Sequence, residues 1–64
     1  MYVNGLKVNL AHNISVSELL KQEGYDAQRV AIEKNGTIVP KKAFDTEMLC
    51  DSDKIEVVHF VGGG

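Results

Sequence analysis

Lys54-Ile55-Glu56-Val57-Val58-His59-Phe60-Val61 runs without a break into Gly62-Gly63-Gly64. Eight residues rich in β-branched and aromatic side chains, with no proline, predict a strand over 54–61, the most apolar in the chain. Its alternation places Ile55 and Val57 on one face and Glu56, Val58 and Phe60 on the other. With Ile55 and Val57 turned into a core, Val58 and Phe60 face water beside the glycines. Such a strand needs partners in a sheet and a layer over its apolar face.

The upstream sequence supplies both. Met1 and Val3, then Leu6, Val8 and Leu10, alternate with Tyr2, Lys7 and Asn9, and Asn4-Gly5 suits a tight turn with positive φ. Strands over 1–4 and 6–10 follow. Val30–Lys34 and Thr37–Val39 flank Asn35-Gly36 in the same way, and Pro40, lacking an N–H, ends pairing there. Between the two hairpins, Ser15-Val16-Ser17-Glu18 is a capping box, with Ile14 and Leu19 at the flanking staple positions. Val16, Leu19 and Leu20 form one apolar stripe, and Gly24 suits the left-handed end of a helix. So short a helix holds only when docked on a sheet.

Tyr25–Arg29 reads as a connection and Asp51-Ser52-Asp53 as a turn. Lys41–Cys50 is expected to bury Phe44, Met48 and Leu49 around a turn or short helical piece. The order strand, strand, helix, strand, short strand, strand predicts an α+β, β-grasp (ubiquitin-like) fold. Its mixed sheet has four to five strands with one helix packed across it, a single domain over 1–61 and a glycine tail over 62–64. The pattern leaves the strand order open.

Composition narrows the function. The 64 residues are 44% hydrophobic and allow one small core. No apolar run approaches the roughly 18 residues that cross a membrane, and MYVNGLKVNL lacks the basic-then-apolar organisation of an export signal. A cytoplasmic, monomeric protein is expected. Nine acidic and seven basic side chains leave a net charge of −2 with no basic cluster beyond Lys41-Lys42, which excludes a nucleic-acid backbone as the expected partner. Cys50 is the single cysteine, so there is neither an internal disulfide nor a Cys-x-x-Cys pair. It reads as a small, partly buried hydrophobe.

The remaining polar residues have ordinary readings. His12 and His59 lie far apart in sequence, and no metal site is expected from them with Cys50. Asp51 and Asp53 start like a calcium loop but lack its glycine and later glutamate. No serine sits in a His–Asp arrangement, and Lys41 and Lys42 read as solvated. The tail is different. Glycines lose the most backbone entropy on ordering, so 62–64 are expected to be mobile when free and able to enter a narrow channel in another protein. A terminal carboxylate there is uncrowded, and adenylation would turn a poor electrophile into a good one.

The last strand and tail, together with Val16-Ser17-Glu18-Leu19-Leu20, Asn35-Gly36-Thr37-Ile38-Val39-Pro40 and the acidic turn before Ile55, resemble the ThiS family, the sulfur carriers of thiamin biosynthesis. The resemblance covers nearly the whole chain. Two departures concern packing: Ser52-Asp53 stands where Gly-Asp is common, and Phe44 where Trp is common. The resemblance implies a carrier and not an enzyme. An ATP-dependent, ubiquitin-activating-like enzyme would adenylate Gly64, with ATP used by that partner and no cofactor bound by the chain itself. A sulfur donor such as a cysteine desulfurase system would convert the adenylate to a thiocarboxylate, and thiazole synthase would receive the sulfur. Gly63 and Gly62 would complete the segment entering partner active sites, and Val58 and Phe60 would form the docking patch. Other readings are a carrier like the small subunit of molybdopterin synthase, a ubiquitin-like modifier, or a passive β-grasp interaction module.

Overall fold

A computed structural model describes residues 1–60. The strands are β1 (Tyr2–Val3), β2 (Leu6–Lys7), β3 (Ile14–Ser15), β4 (Val30–Lys34), β5 (Thr37–Val39), β6 (Met48–Leu49) and β7 (Lys54–His59), with one helix, α1 (Val16–Glu23). Five strands form a mixed sheet in the order β2-β1-β7-β4-β5. The last strand is therefore central, parallel to β1 and antiparallel to β4. The expected mixed sheet with one helix is present, and its open question, strand order, is answered by the parallel pairing of the chain's first and last strands.

Local chemistry explains the elements. Asn4 and Gly5, at φ 50° and 81°, and Asn35 and Gly36, at φ 51° and 85°, make the two tight hairpin turns. Ser15 Oγ accepts from the Glu18 N–H at 3.1 Å, and the Glu18 carboxylate accepts from the Ser15 N–H at 3.0 Å, closing the capping box. Gly24 ends α1 at φ 78°, where its N–H reaches the Leu20 and Lys21 carbonyls. Val16, Leu19 and Leu20 are buried against Val30, Ile32, Ile55 and Val57 of the sheet. Ile32 lies opposite Val39 on one side and Val57 on the other, so one apolar row crosses three strands.

Five expectations need correction. The second strand is Leu6–Lys7 and not 6–10; Val8 and Leu10 pack against the core from a loop. Leu6 shares a face with buried Val3, yet on the edge strand it is 73% exposed. Met48 is outside the core at 47% exposure, because the two-residue β6 alternates and turns Leu49 inward. The β6 strand itself was not anticipated: it pairs with β3 just before the helix, Ile14 opposite Leu49. Within the connection 25–29, Ala27–Arg29 forms a 3-10 turn in which the Asp26 carboxylate accepts from the Gln28 N–H, and a second 3-10 turn spans Lys41–Ala43. The last strand ends at His59 and not at 61, with Phe60 just beyond it; the domain boundary at Val61 and the tail 62–64 lie outside the described residues.

Both turn asparagines also clamp β7. On the β1 side, Asn4 Oδ1 accepts from the Val57 N–H at 2.7 Å and Asn4 Nδ2 donates to the Val57 carbonyl at 3.2 Å. On the β4 side, Asn35 Oδ1 accepts from the Lys54 N–H at 2.9 Å, while its backbone N–H donates to the Lys54 carbonyl at 2.8 Å. Asn35 Nδ2 continues to Asp53 Oδ1 at 2.9 Å, and Asp53 Oδ2 accepts from the Cys50 N–H at 2.8 Å. The two aspartates of the expected turn diverge: Asp53 is buried in this network, and Asp51 pairs with the Met1 ammonium at 3.0 Å.

Burial pushes the Asp53 carboxyl up, but the Cys50 N–H, the Asn35 amide and the Lys34 ammonium together hold it below its ordinary value. A hydrogen bond from the Met1 ammonium and another from the Leu10 N–H lower Asp51. Depressed carboxylates stabilise the fold above their unfolded value, near pH 4, and that contribution is lost as pH falls through the folded value. Acid titration followed by circular dichroism is expected to show stability falling below about pH 4, with a shallower acid limb for Asp53→Asn. Asn35→Gly keeps the positive φ and removes only the amide bridges. It is expected to cost about 1–2 kcal/mol and to speed hydrogen exchange at the Lys54 amide; an unchanged Lys54 rate would show the clamp to be dispensable.

Candidate functional site

Along β7, Ile55 and Val57 are buried while Lys54, Glu56 and Val58 are exposed. The inferred alternation is present. Val58 is 50% exposed and Phe60, just past the strand, 58% exposed. Cross-strand partners share a face, so Ala31 opposite Val58, Glu33 opposite Glu56, and Ile38 opposite Glu33 lie on the same open side. Ile38 is 69% exposed. The two residues singled out from the sequence, Val58 and Phe60, therefore sit on a broader apolar surface.

The root of the tail is held in place. The Phe60 N–H donates to the Arg29 carbonyl at 2.9 Å, carrying the β4–β7 ladder one residue past the strand. The Lys41 ammonium lies 5.4 Å from the centre of the Phe60 ring and donates to the Gln28 carbonyl at 2.9 Å. Lys41 is thus engaged at the tail root, correcting its reading as merely solvated. The Tyr25 and His59 rings meet on the other side of the strand with centroids 5.3 Å apart, and Arg29 pairs with Asp26 at 3.3 Å. His59 flanks the root through that ring contact. Gly62, Gly63 and Gly64, the expected site of activation, lie outside the described residues.

The other candidates are placed elsewhere. His12 is in the exposed loop before α1, and Cys50 is half-buried with its sulfur 3.0 Å from Ser52 Oγ. Among the described residues no His, Cys, Asp and Glu side chains group as metal ligands, and no helix is long and apolar enough to cross a membrane. Among the described residues the arrangement offers a strand end bonded to Arg29, an apolar face and the Lys41 cation over Phe60.

The chain matches the model of the ThiS family over residues 1–64. It belongs to that family. It is 40% identical over 50 residues to the sulfur carrier protein ThiS of Bacillus subtilis, covering 78% of this chain and 76% of that one. A solved structure, the thiamine biosynthesis protein (ThiS) of Geobacter metallireducens, superposes with a TM-score of 0.81 at 36% identity, covering 98% of this chain and 96% of the other. Thiazole synthase of Paramagnetospirillum magneticum is 39% identical over 64 residues; there this ThiS-family chain spans 20% of the relative's length. The β-grasp fold read from the element order is that of the family's structural neighbour.

Ile38 and Ala31 were missed from the sequence, although counting outward from the two-residue turn Asn35-Gly36 sets Glu33 opposite Ile38. Lys41 and Arg29 carried no sequence signal. Lys41→Met retains the aliphatic stem and removes the cation over the ring. It is expected to cost about 0.5–1 kcal/mol and to raise the Phe60 amide exchange rate. An unchanged rate would show that Lys41 does not hold the root.

Proposed function

We propose that this chain is a ThiS-type sulfur carrier for formation of the thiazole ring of thiamin, acting through a thiocarboxylate on Gly64. The observation that carries the reading is the central strand β7, whose exposed face carries Val58 and whose end leads into exposed Phe60, just before residues 61–64 in sequence, in a chain that matches the ThiS family throughout. A carrier needs little more. The chemistry is supplied by enzymes, and the domain has only to present a terminus and be recognised.

In this scheme an ATP-dependent adenylating enzyme activates the Gly64 carboxylate, with Gly62 and Gly63 threading its channel. A persulfide from a sulfur donor such as a cysteine desulfurase system then displaces AMP from the acyl-adenylate, and a thiol reductant cleaves the resulting acyl disulfide to leave the thiocarboxylate. Thiazole synthase takes the sulfur. The match between this chain and part of the longer thiazole synthase of Paramagnetospirillum magneticum supports that acceptor as its partner. Val58 and Phe60 dock on the partners, and the protein works in the cytoplasm as a co-substrate that is not itself a catalyst.

Incubation with ATP, an adenylating partner and a sulfur donor is expected to shift the intact mass by one oxygen-to-sulfur exchange, lost on deletion of Gly64. Stable conjugates to other chains would instead indicate a protein modifier, and transfer to a molybdopterin precursor in place of a thiazole would reassign the acceptor. Phe60→Ala removes an exposed ring and is expected to change stability by less than about 1 kcal/mol. Its affinity for the adenylating partner should fall about tenfold or more, as for a docking anchor; wild-type affinity would remove Phe60 from the interface.

A further inference from the structure

The open face of the sheet is banded along β7. Nearest the turns, Lys54 lies opposite Tyr2, which lies opposite Lys7 with that ammonium 5.4 Å from its ring. Next, Glu56 lies directly opposite Glu33. Ile38 stands in that same row, opposite Glu33; the apolar pair Ala31 and Val58 follows, and Phe60 under Lys41 closes the series at the tail root. Basic, acidic, apolar and basic bands thus succeed one another in the direction in which the chain leaves the domain.

The acidic band is costly as it stands. Like charges placed directly opposite on neighbouring strands destabilise a sheet, and among the described residues neither Glu33 nor Glu56 takes part in an ion pair. Lys54 is two residues from Glu56 along the same strand and diagonal to Glu33, directly opposite neither. A cation placed over the pair from outside would convert repulsion into attraction. The apolar band immediately beside it offers the desolvated contact that strengthens such a charge interaction.

We propose that this face docks on the adenylating enzyme with a lysine or arginine of that enzyme seated between Glu33 and Glu56 and an apolar surface of it against Val58 and Phe60. The inference rests on the carrier reading above and adds the chemistry of the partner's surface. The order of bands gives the docking a direction. Turned end for end in the plane of the sheet about Val58, the enzyme's cation would meet Lys41 and its apolar surface would cover Glu33 and Glu56. Like-charge juxtaposition and buried, unpaired carboxylates would then reject that pose. Only the accepted pose leads the chain end toward the same part of the enzyme each time.

The test compares wild type with Glu33→Gln/Glu56→Gln for binding to the purified adenylating enzyme. The variant is expected to melt about 1–3 °C higher when free, because the repulsion is gone, yet to bind about tenfold more weakly at low ionic strength. The difference should shrink as salt is raised. Binding lost in Glu56→Lys should return when one arginine or lysine of the enzyme is reversed to glutamate. Equal or tighter binding by the double glutamine variant, alongside normal thiocarboxylation of the wild type, would overturn this inference alone. Failure of the enzyme to bind or adenylate the wild type would overturn the carrier reading and this inference with it.

Discussion

The Lys54–His59 strand is held along both edges by segments distant from it in sequence, β1 from the start of the chain and β4 from its middle. This double pairing makes the strand that precedes the glycines the least free to move sideways. Two-residue turns set the register of each outer hairpin, and their asparagines extend that register into β7 through side-chain amides that mimic missing strand backbone. The chain thus uses each Asn-Gly turn twice, once for positive φ and once to clamp the central strand. Mutual dependence follows: β7 requires both hairpins, and neither hairpin has another strand to lean on in the middle of the sheet.

What could be read from residues alone depended on how local the cause was. The helix boundaries rest on Ser15, Glu18 and Gly24, all within or next to the helix, and both hairpins rest on adjacent Asn-Gly pairs. Those features were legible. The order of strands was not, because Tyr2 pairs with Lys54 across fifty-odd residues and nothing in either segment names the other. Met48 and Leu6 misled for a related reason: hydrophobicity reports a preference for burial, whereas position in a two-residue strand or at a sheet edge decides it. On the open face, alternation sufficed for the exposure of Val58 and Phe60. Lys41 reaches the Phe60 ring from the 3-10 turn after β5, a placement that only the packed chain reveals.

Stability and recognition make different demands on the two faces of this one sheet. The inner face follows the rules of any small core, with Ile32, Ile55, Val57 and α1 excluding water. The outer face departs from them, leaving Ile38, Val58 and Phe60 in solvent and setting Glu33 against Glu56. In a domain of this size, where burial yields only a narrow surplus, each departure is a measurable fraction of the whole. The polar devices at the turns, the capping box and the buried Asp53 network, concentrate away from that face and offset its cost.

Strand polarity completes the logic. Because β7 runs parallel to β1 and past its end, its last residues leave β1 behind and remain bonded only to the β4 side, where the Phe60 N–H meets the Arg29 carbonyl. The chain therefore departs with one edge anchored, and the bands of charge on the open face are read in the same direction. A partner that recognises the bands in order has also been told where the terminus lies. On the carrier reading, recognition and delivery then become a single geometric event, by which a small domain determines where a partner's chemistry occurs.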